Sequence, residues 1–165
     1  MNSRIGGRTA SGTPGLDLAE QNSWQNYLAA TLRVYATLNR RLISAHQLPL
    51  ADLRMLQALR ESPAGRARMG DLAAALQLLP SRLTRQARRL EGQGLVQRCV
   101  SPEDRRGVVV IITAAGRLMA DQATTTYAEN VRAVFLDSLS RAQIGAMKER
   151  CNRIGMPLKQ SQSLP

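Results

Sequence analysis

From about Asp17 to His46 the large apolar residues recur at intervals of three, four and seven. Trp24, Leu28, Tyr35, Leu38 and Leu42 fall on one stripe, with Arg33, Arg40 and Arg41 mostly off it. This is the period of a helix, and the pattern predicts one long amphipathic helix. Leu48-Pro49 interrupts it. Leu53, Leu56 and Leu59 then mark one face of a second helix that ends near Pro63-Ala-Gly65. A third begins after Gly70 and shows Leu72, Ala73 and Leu76. A fourth starts at Pro80, a residue suited to the first helical position, carries Leu83, Ala87 and Leu90 on one side, and is stopped by Gly92 and Gly94.

Beyond Gly94 the period changes. Leu95 to Thr113 holds two apolar, β-branched runs around Ser101, Pro102, Asp104 and Gly107, which are turn formers, so it reads as a two-stranded ribbon with an arginine-loaded tip. Thr113 can cap a fifth helix whose stripe is Leu118, Met119, Ala123, Tyr127, Val131, Val134 and Phe135. Ser140-Arg-Ala-Gln143 is a capping box, after which Ile144, Met147, Cys151 and Ile154 follow until Gly155 and Pro157 end the last helix.

Three short helices followed by a ribbon make a winged helix. The expected fold is therefore mainly α (α+β), a winged helix-turn-helix core between long N- and C-terminal dimerisation helices. Residues 1–15, Gly, Ser and Thr with Arg4 and Arg8, read as a disordered basic tail. Because a helix followed by a basic ribbon is how a winged helix grips duplex DNA, residues 48–113 are expected to be the DNA-binding unit, 16–47 and 114–156 the helical dimerisation region, and 157–165 a flexible tail. Apolar stripes on both terminal helices would stand exposed in a monomer, so a second copy of the chain is expected to cover them.

Charge narrows the class of partner. The 165 residues carry a net charge of +11, which favours a polyanion. Almost all of it is arginine, with Lys148 and Lys159 the only lysines, a preference for which a GC-rich genome accounts in large part. Five aromatic residues are too few to build stacking platforms for single strands, so duplex DNA is favoured. Cys99, Cys151 and His46 are the only cysteines and histidine. They assemble no zinc site, Cys-His pair or Ser-His-Asp set, so no catalytic group, metal or cofactor is expected. No apolar run approaches the ~20 residues of a membrane span. The N-terminus lacks the apolar core of a signal peptide, and a cytoplasmic location is expected.

On the fourth helix Arg82, Arg85, Gln86 and Arg89 fall at offsets of three and four, opposite Leu83, Ala87 and Leu90. Ser81 and Thr84 suit phosphates near the helix N-terminus, while Arg82, Arg85 and Gln86 are types that reach guanine or adenine edges. Between Leu79 and Gly107 seven arginines (82, 85, 88, 89, 98, 105 and 106) stand against Glu91, Glu103 and Asp104, a net of +4. At the ribbon tip Arg105 and Arg106 are placed to enter a minor groove, with Asp104 holding an arginine fork in position.

In these residues the chain resembles the multiple-antibiotic-resistance regulator (MarR) family of bacterial transcription factors. Asp104-x-Arg106-x-x-x-Val110-x-Ile112-Thr113 is similar to the family's wing signature. Leu72-Ala73, Pro80-Ser81-Arg82-Leu83-Thr84-Arg85, Arg89-Leu90-Glu91, Gly94-Leu95-Val96 and Ala115-Gly116-Arg117 resemble its helix-turn-helix, strand entry and post-wing helix. The likeness extends more loosely from Trp24 to Ile154. It implies a homodimer, usually a repressor, whose paired winged helices read a pseudo-palindromic operator and whose wing inserts Arg106 into the minor groove. It also implies an effector, in many members a small phenolic or aromatic acid, bound between the first, second and post-wing helices. Two departures stand out: Leu79 occupies a place where members often have a polar cap, and Gln86 and Ala87 replace larger apolar residues, which implies a somewhat different helix angle.

For such a ligand pocket Trp24, Tyr27, Tyr35 and Met55 lie on the flanking helices, with Arg33 or Arg54 to meet a carboxylate. His46 reads as a helix-end residue and Cys151 as packing on an apolar stripe. Cys99 reads as a half-buried strand residue beside Arg98. Two other classes remain open: a winged-helix protein-interaction module, and a sequence-indifferent architectural DNA binder.

Overall fold

The computed structural model describes residues 14–101 and 107–161. They form the helices α1 (Leu18–His46), α2 (Leu50–Glu61), α3 (Met69–Leu76), α4 (Pro80–Gly92), α5 (Ala114–Val134) and α6 (Arg141–Ser161), and the strands β1 (Arg66–Arg68), β2 (Val96–Val100) and β3 (Val108–Ile112). By packing the chain divides into two compact units, Met1–Ala36 and Thr37–Pro165. The N-terminal tail expected over 1–15 lies, up to residue 13, outside the described residues.

In the first unit α1 opens with a reciprocal capping box: the Asp17 amide donates to Glu20 Oε2 (2.9 Å), and the Glu20 amide to Asp17 Oδ1 (2.8 Å). The stripe expected on α1 is not buried along its length. Trp24, Tyr27, Leu28 and Tyr35 are exposed, and of the stripe only Leu38 and Leu42, both in the second unit, are buried. Trp24 and Tyr27 meet at a centroid distance of 6.1 Å.

The core of the second unit gathers Leu42 from α1, Leu53, Leu56 and Leu59 from α2, Leu83 and Leu90 from α4 and Val110 from β3, all without exposed surface. Each such burial is worth roughly 2 kcal/mol, so the helical period read from the sequence sets the packing. The ribbon is not two-stranded. β1 joins it antiparallel to β3, giving the order β1-β3-β2, with Arg66 opposite Ile111 and Val96 opposite Ile112. Three residues, Arg-Ala-Arg, offer neither a β-branched run nor an apolar alternation, so nothing in β1 signals a strand.

On α5 the expected stripe is shifted. Leu118 is exposed, and the buried line is Gly116, Ala120 and Ala123. Small residues let α5 lie close to its neighbours: a Cβ at Gly116 would overlap the Leu95 carbonyl oxygen. Polar contacts then run along α5. Gln57 donates to Thr124 Oγ1 (3.0 Å), His46 Nε2 bonds Thr126 Oγ1 (2.8 Å), Arg41 donates to Asn130 (2.7 Å), and Arg60 pairs with Asp121. The capping box at Ser140 forms as read, with the Ser140 amide donating to Gln143 Oε1 (2.8 Å). α6 does not stop at Gly155 and Pro157 but continues to Ser161, although an interior proline removes one ladder bond and costs a helix about 3 kcal/mol.

Candidate nucleic-acid interface

The basic helix α4 is bounded by its own sequence. Pro80 occupies the first turn, where no amide partner is needed, and the Leu79 carbonyl accepts from the amides of Arg82 (3.0 Å) and Leu83 (3.1 Å). At the other end Gly94 takes φ +72°, and the amides of Gly94 and Leu95 return to the carbonyls of Glu91 (2.9 Å) and Leu90 (3.0 Å). This Schellman closure favours a glycine, since the left-handed conformation costs other residues about 1–2 kcal/mol. The preceding turn, between α3 and α4, accepts that cost: Gln77 sits at φ +55° while the Leu78 amide bonds the Ala73 carbonyl (2.9 Å).

Leu83, Ala87 and Leu90 face the core, and Ser81, Arg82, Arg85 and Arg88 face solvent. Neither Arg82 nor Arg85 has a hydrogen-bond or ion-pair partner among the described residues, so both forks are free to meet an anion. Thr84 is half-buried, and its hydroxyl already donates to the Pro80 carbonyl (2.9 Å).

Two expected members of this face are placed differently. Gln86 is buried, and its Nε2 donates to the Ala51 carbonyl of α2 (2.7 Å). It belongs to the core flank because a position three residues after Leu83 and four before Leu90 turns partly inward. Arg89 is half exposed, yet its fork is taken: Nε and Nη2 donate to Asp52 Oδ2 (3.0 Å) and Oδ1 (2.5 Å). Asp52 has no exposed surface, so Arg89 neutralises a buried carboxylate and, with Gln86, clamps α4 to the first turn of α2. The sequence reading missed this residue. Its signal was an acid four residues before Leu56 and seven before Leu59, on the buried stripe itself, where a charge requires a partner.

A second pair ties α4 to the wing. Arg98 of β2 donates through Nε (2.8 Å) and Nη2 (2.6 Å) to Glu91 Oε2, and its amide donates to Glu91 Oε1 (3.0 Å). These side-chain and backbone bonds from Arg98 hold the Glu91 carboxyl below its ordinary value of 4.5. Arg89 and Arg98 therefore serve internal acids, and Arg82, Arg85 and Arg88 carry the outward charge of α4. Arg88, which the sequence reading did not single out as a contact, is exposed on the same arc, three residues after Arg85.

The ribbon narrows at Ser101, whose amide donates to the Gly107 carbonyl (2.8 Å). Asp104, Arg105 and Arg106, the expected wing tip, lie outside the described residues. Between the foot of the ribbon and α4 runs a groove of about 490 Å³, bordered by Arg68, Met69, Asp71, Thr84, Arg98 and Val108. Arg68 and Arg98 give this groove a net positive lining against the single acid Asp71, while the Arg98 fork is engaged by Glu91 and the Thr84 hydroxyl by Pro80.

The residues expected around a ligand do not form one described site. Trp24, Tyr27, Arg33 and Tyr35 belong to the first unit and are exposed. Arg54, in the second unit, is exposed as well. Met55 has no exposed surface and is core, since it stands one residue before Leu56 on the inward side of α2. Cys99 is half-buried, as expected, but Cys151 is exposed rather than packed in this chain. Among the described residues no helix is long and apolar enough to cross a membrane.

Comparison with known proteins agrees with this architecture. A family model described as MarR family matches residues 48–108. A crystal structure of Sco3205, a MarR family transcriptional regulator from Streptomyces coelicolor solved in complex with DNA, is similar at 31% identity and a TM-score of 0.84, over 91% of this chain and 97% of that one. AbsC, a MarR family transcriptional regulator from the same organism, is similar at 28% identity and a TM-score of 0.82, over 90% of this chain and 99% of its own. The transcriptional regulator BldR from Sulfolobus solfataricus is 26% identical, with a TM-score of 0.72 over 86% of this chain and 99% of that one. No curated protein sequence matches the chain.

Proposed function

This chain belongs to the MarR family of transcriptional regulators, and from that premise we propose that it reads a pseudo-palindromic operator as a homodimeric repressor released by a small aromatic acid. It is a DNA-binding regulator and not an enzyme. The observation that carries the reading is the exposed arc of α4, where Ser81, Arg82, Arg85 and Arg88 stand outward, opposite the buried Leu83, Ala87 and Leu90. Unpartnered arginine forks on a rigid helix fit guanine edges and phosphates in a major groove. That a similar regulator, Sco3205, has been solved with DNA supports the same partner here.

The finer assignments follow the elements. Residues 48–113 bind DNA, with α4 as recognition helix and Asp104, Arg105 and Arg106 as the wing's contribution. Segments 16–47 and 114–156 pair two chains, a reading supported by the exposed apolar side chains Leu28 and Leu32 on α1 and Met147 and Ile154 on α6. The effector is read by the aromatic side chains of the first unit, Trp24, Tyr27 and Tyr35, and the regulator works in the cytoplasm.

The test is a salt titration of the full chain against two duplexes, one enriched by the chain from a random pool and one random. A regulator binds the enriched duplex at least about a thousandfold more tightly, with log affinity falling linearly in log salt. Equal affinity for both duplexes would mark an architectural binder, and no duplex binding a protein-interaction module. Either result overturns the reading. Quenching of Trp24, the only tryptophan, by aromatic acids that also weaken DNA binding tests the effector. If no aromatic acid in a broad panel changes either signal, release by a small ligand is wrong.

A further inference from the structure

The side chain of Leu79 stands largely in solvent. It is 73% exposed, precedes the first turn of α4 with φ −63° and ψ 140°, and makes no side-chain capping bond. Serine, threonine, asparagine or aspartate at this position would satisfy an orphan amide, and omitting such a cap typically weakens a helix. The backbone is already in the extended conformation a capping residue adopts, so a polar side chain would fit without rearrangement. The chain instead keeps an apolar side chain in water at the leading end of its basic helix.

The surroundings identify an occupant. From Met69 to Leu95 every residue is described, and Leu79 is the only large hydrophobic among them that is exposed. Ser81, Arg82 and Arg85 follow it, exposed, on α4. Leu79, flanked by the half-buried Leu78 and the exposed Pro80 and followed by Ser81, Arg82 and Arg85, is too small an apolar spot for a protein-docking face, which would be broader. The charge around it calls for a polyanion. The floor of a major groove displays donors and acceptors and one apolar group, the C5-methyl of thymine.

We infer that Leu79 is a specificity-determining residue that packs against a thymine methyl at a fixed position of each operator half-site. The inference rests on the reading of α4 as the recognition helix. Covering one methyl, at about 0.8 kcal/mol, corresponds to roughly fourfold in affinity per half-site. Two half-sites give roughly fifteenfold.

The experiment uses the full chain and a duplex it has enriched from a random pool. Thymines are replaced pairwise, in symmetry-related positions, by deoxyuridine, which deletes the methyl and leaves the hydrogen-bonding edge intact. One dT-to-dU pair should lower wild-type affinity about fifteenfold. Leu79→Ser should bind the dT and dU duplexes equally. Its thermal midpoint should not fall, because serine supplies the missing cap, and its salt slope should match the wild type. If no dU pair weakens the wild type, or if Leu79→Ser retains the full dT-over-dU preference, the methyl is not read by Leu79 and the inference is overturned. A wild-type chain that enriches no duplex at all would instead overturn the reading of α4, and this inference with it.

Discussion

Replacing Arg89 by alanine separates two roles that the sequence does not distinguish, a contact to DNA and a clamp within the protein. The guanidinium makes two hydrogen bonds to Asp52, a carboxylate with no exposed surface. Removing one partner of a buried ion pair costs about 3–5 kcal/mol, because the other charge is left uncompensated. Arg89 is itself half exposed, and water will reach part of the vacated space, so the low end, about 3 kcal/mol, is the appropriate figure. For a chain of this size that corresponds to roughly 6–12 °C in thermal midpoint. Differential scanning calorimetry on Arg89→Ala, Asp52→Ala and the double variant gives the coupling directly. The double variant should be more stable than the sum of the single losses implies, since no orphan charge remains. Arg85→Ala is the contrast: its thermal midpoint should not move, while discrimination between enriched and random duplex falls by about 1–3 kcal/mol. If Arg89→Ala melted within about 2 °C of the wild type and only shallowed the salt slope by about one ion per subunit, the clamp would be wrong and Arg89 would be a phosphate contact.

Other expectations are briefer. The Glu91 carboxyl is held below its ordinary value by Arg98, so its ion pair contributes stability above about pH 4.5 that is lost as pH falls through the depressed value. Glu91→Gln should therefore be less stable than the wild type at pH 7, and the gap should close towards pH 3 in urea titrations; a gap independent of pH would count against the pair. Gly116→Ala should cost about 1–3 kcal/mol, because the new methyl would overlap the Leu95 carbonyl oxygen and press on Ile112, and an unchanged urea midpoint would show that the α5 junction yields. Chains ending at Leu139 should sediment as monomers where the full chain is a dimer at micromolar concentration, and a full-length monomer there would refute pairing through the terminal helices.

Where packing is periodic, the sequence was sufficient: Leu53, Leu56 and Leu59 on α2 and Leu83, Ala87 and Leu90 on α4 are buried as their spacing requires. The limits of α4 were also legible, because Pro80 and Gly94 act through local backbone chemistry that does not depend on distant residues. What periodicity cannot resolve is a polar residue at the edge of an apolar face. Gln86 and Arg89 share three- and four-residue offsets with Arg82 and Arg85, so a one-dimensional pattern places all four together. Their separation depends on acceptors contributed by α2, the Ala51 carbonyl and the Asp52 carboxylate, more than thirty residues away in the chain. β1 was illegible for a related reason: Arg66-Ala-Arg68 is a strand because β3 presents it with an edge, not because its side chains prefer one. The same dependence on context makes Leu79 informative. On a helix face read as a binding surface, a residue that neither the local rules nor the packing of its own chain explains points to the partner that face takes, and its chemistry is then a clue to that partner.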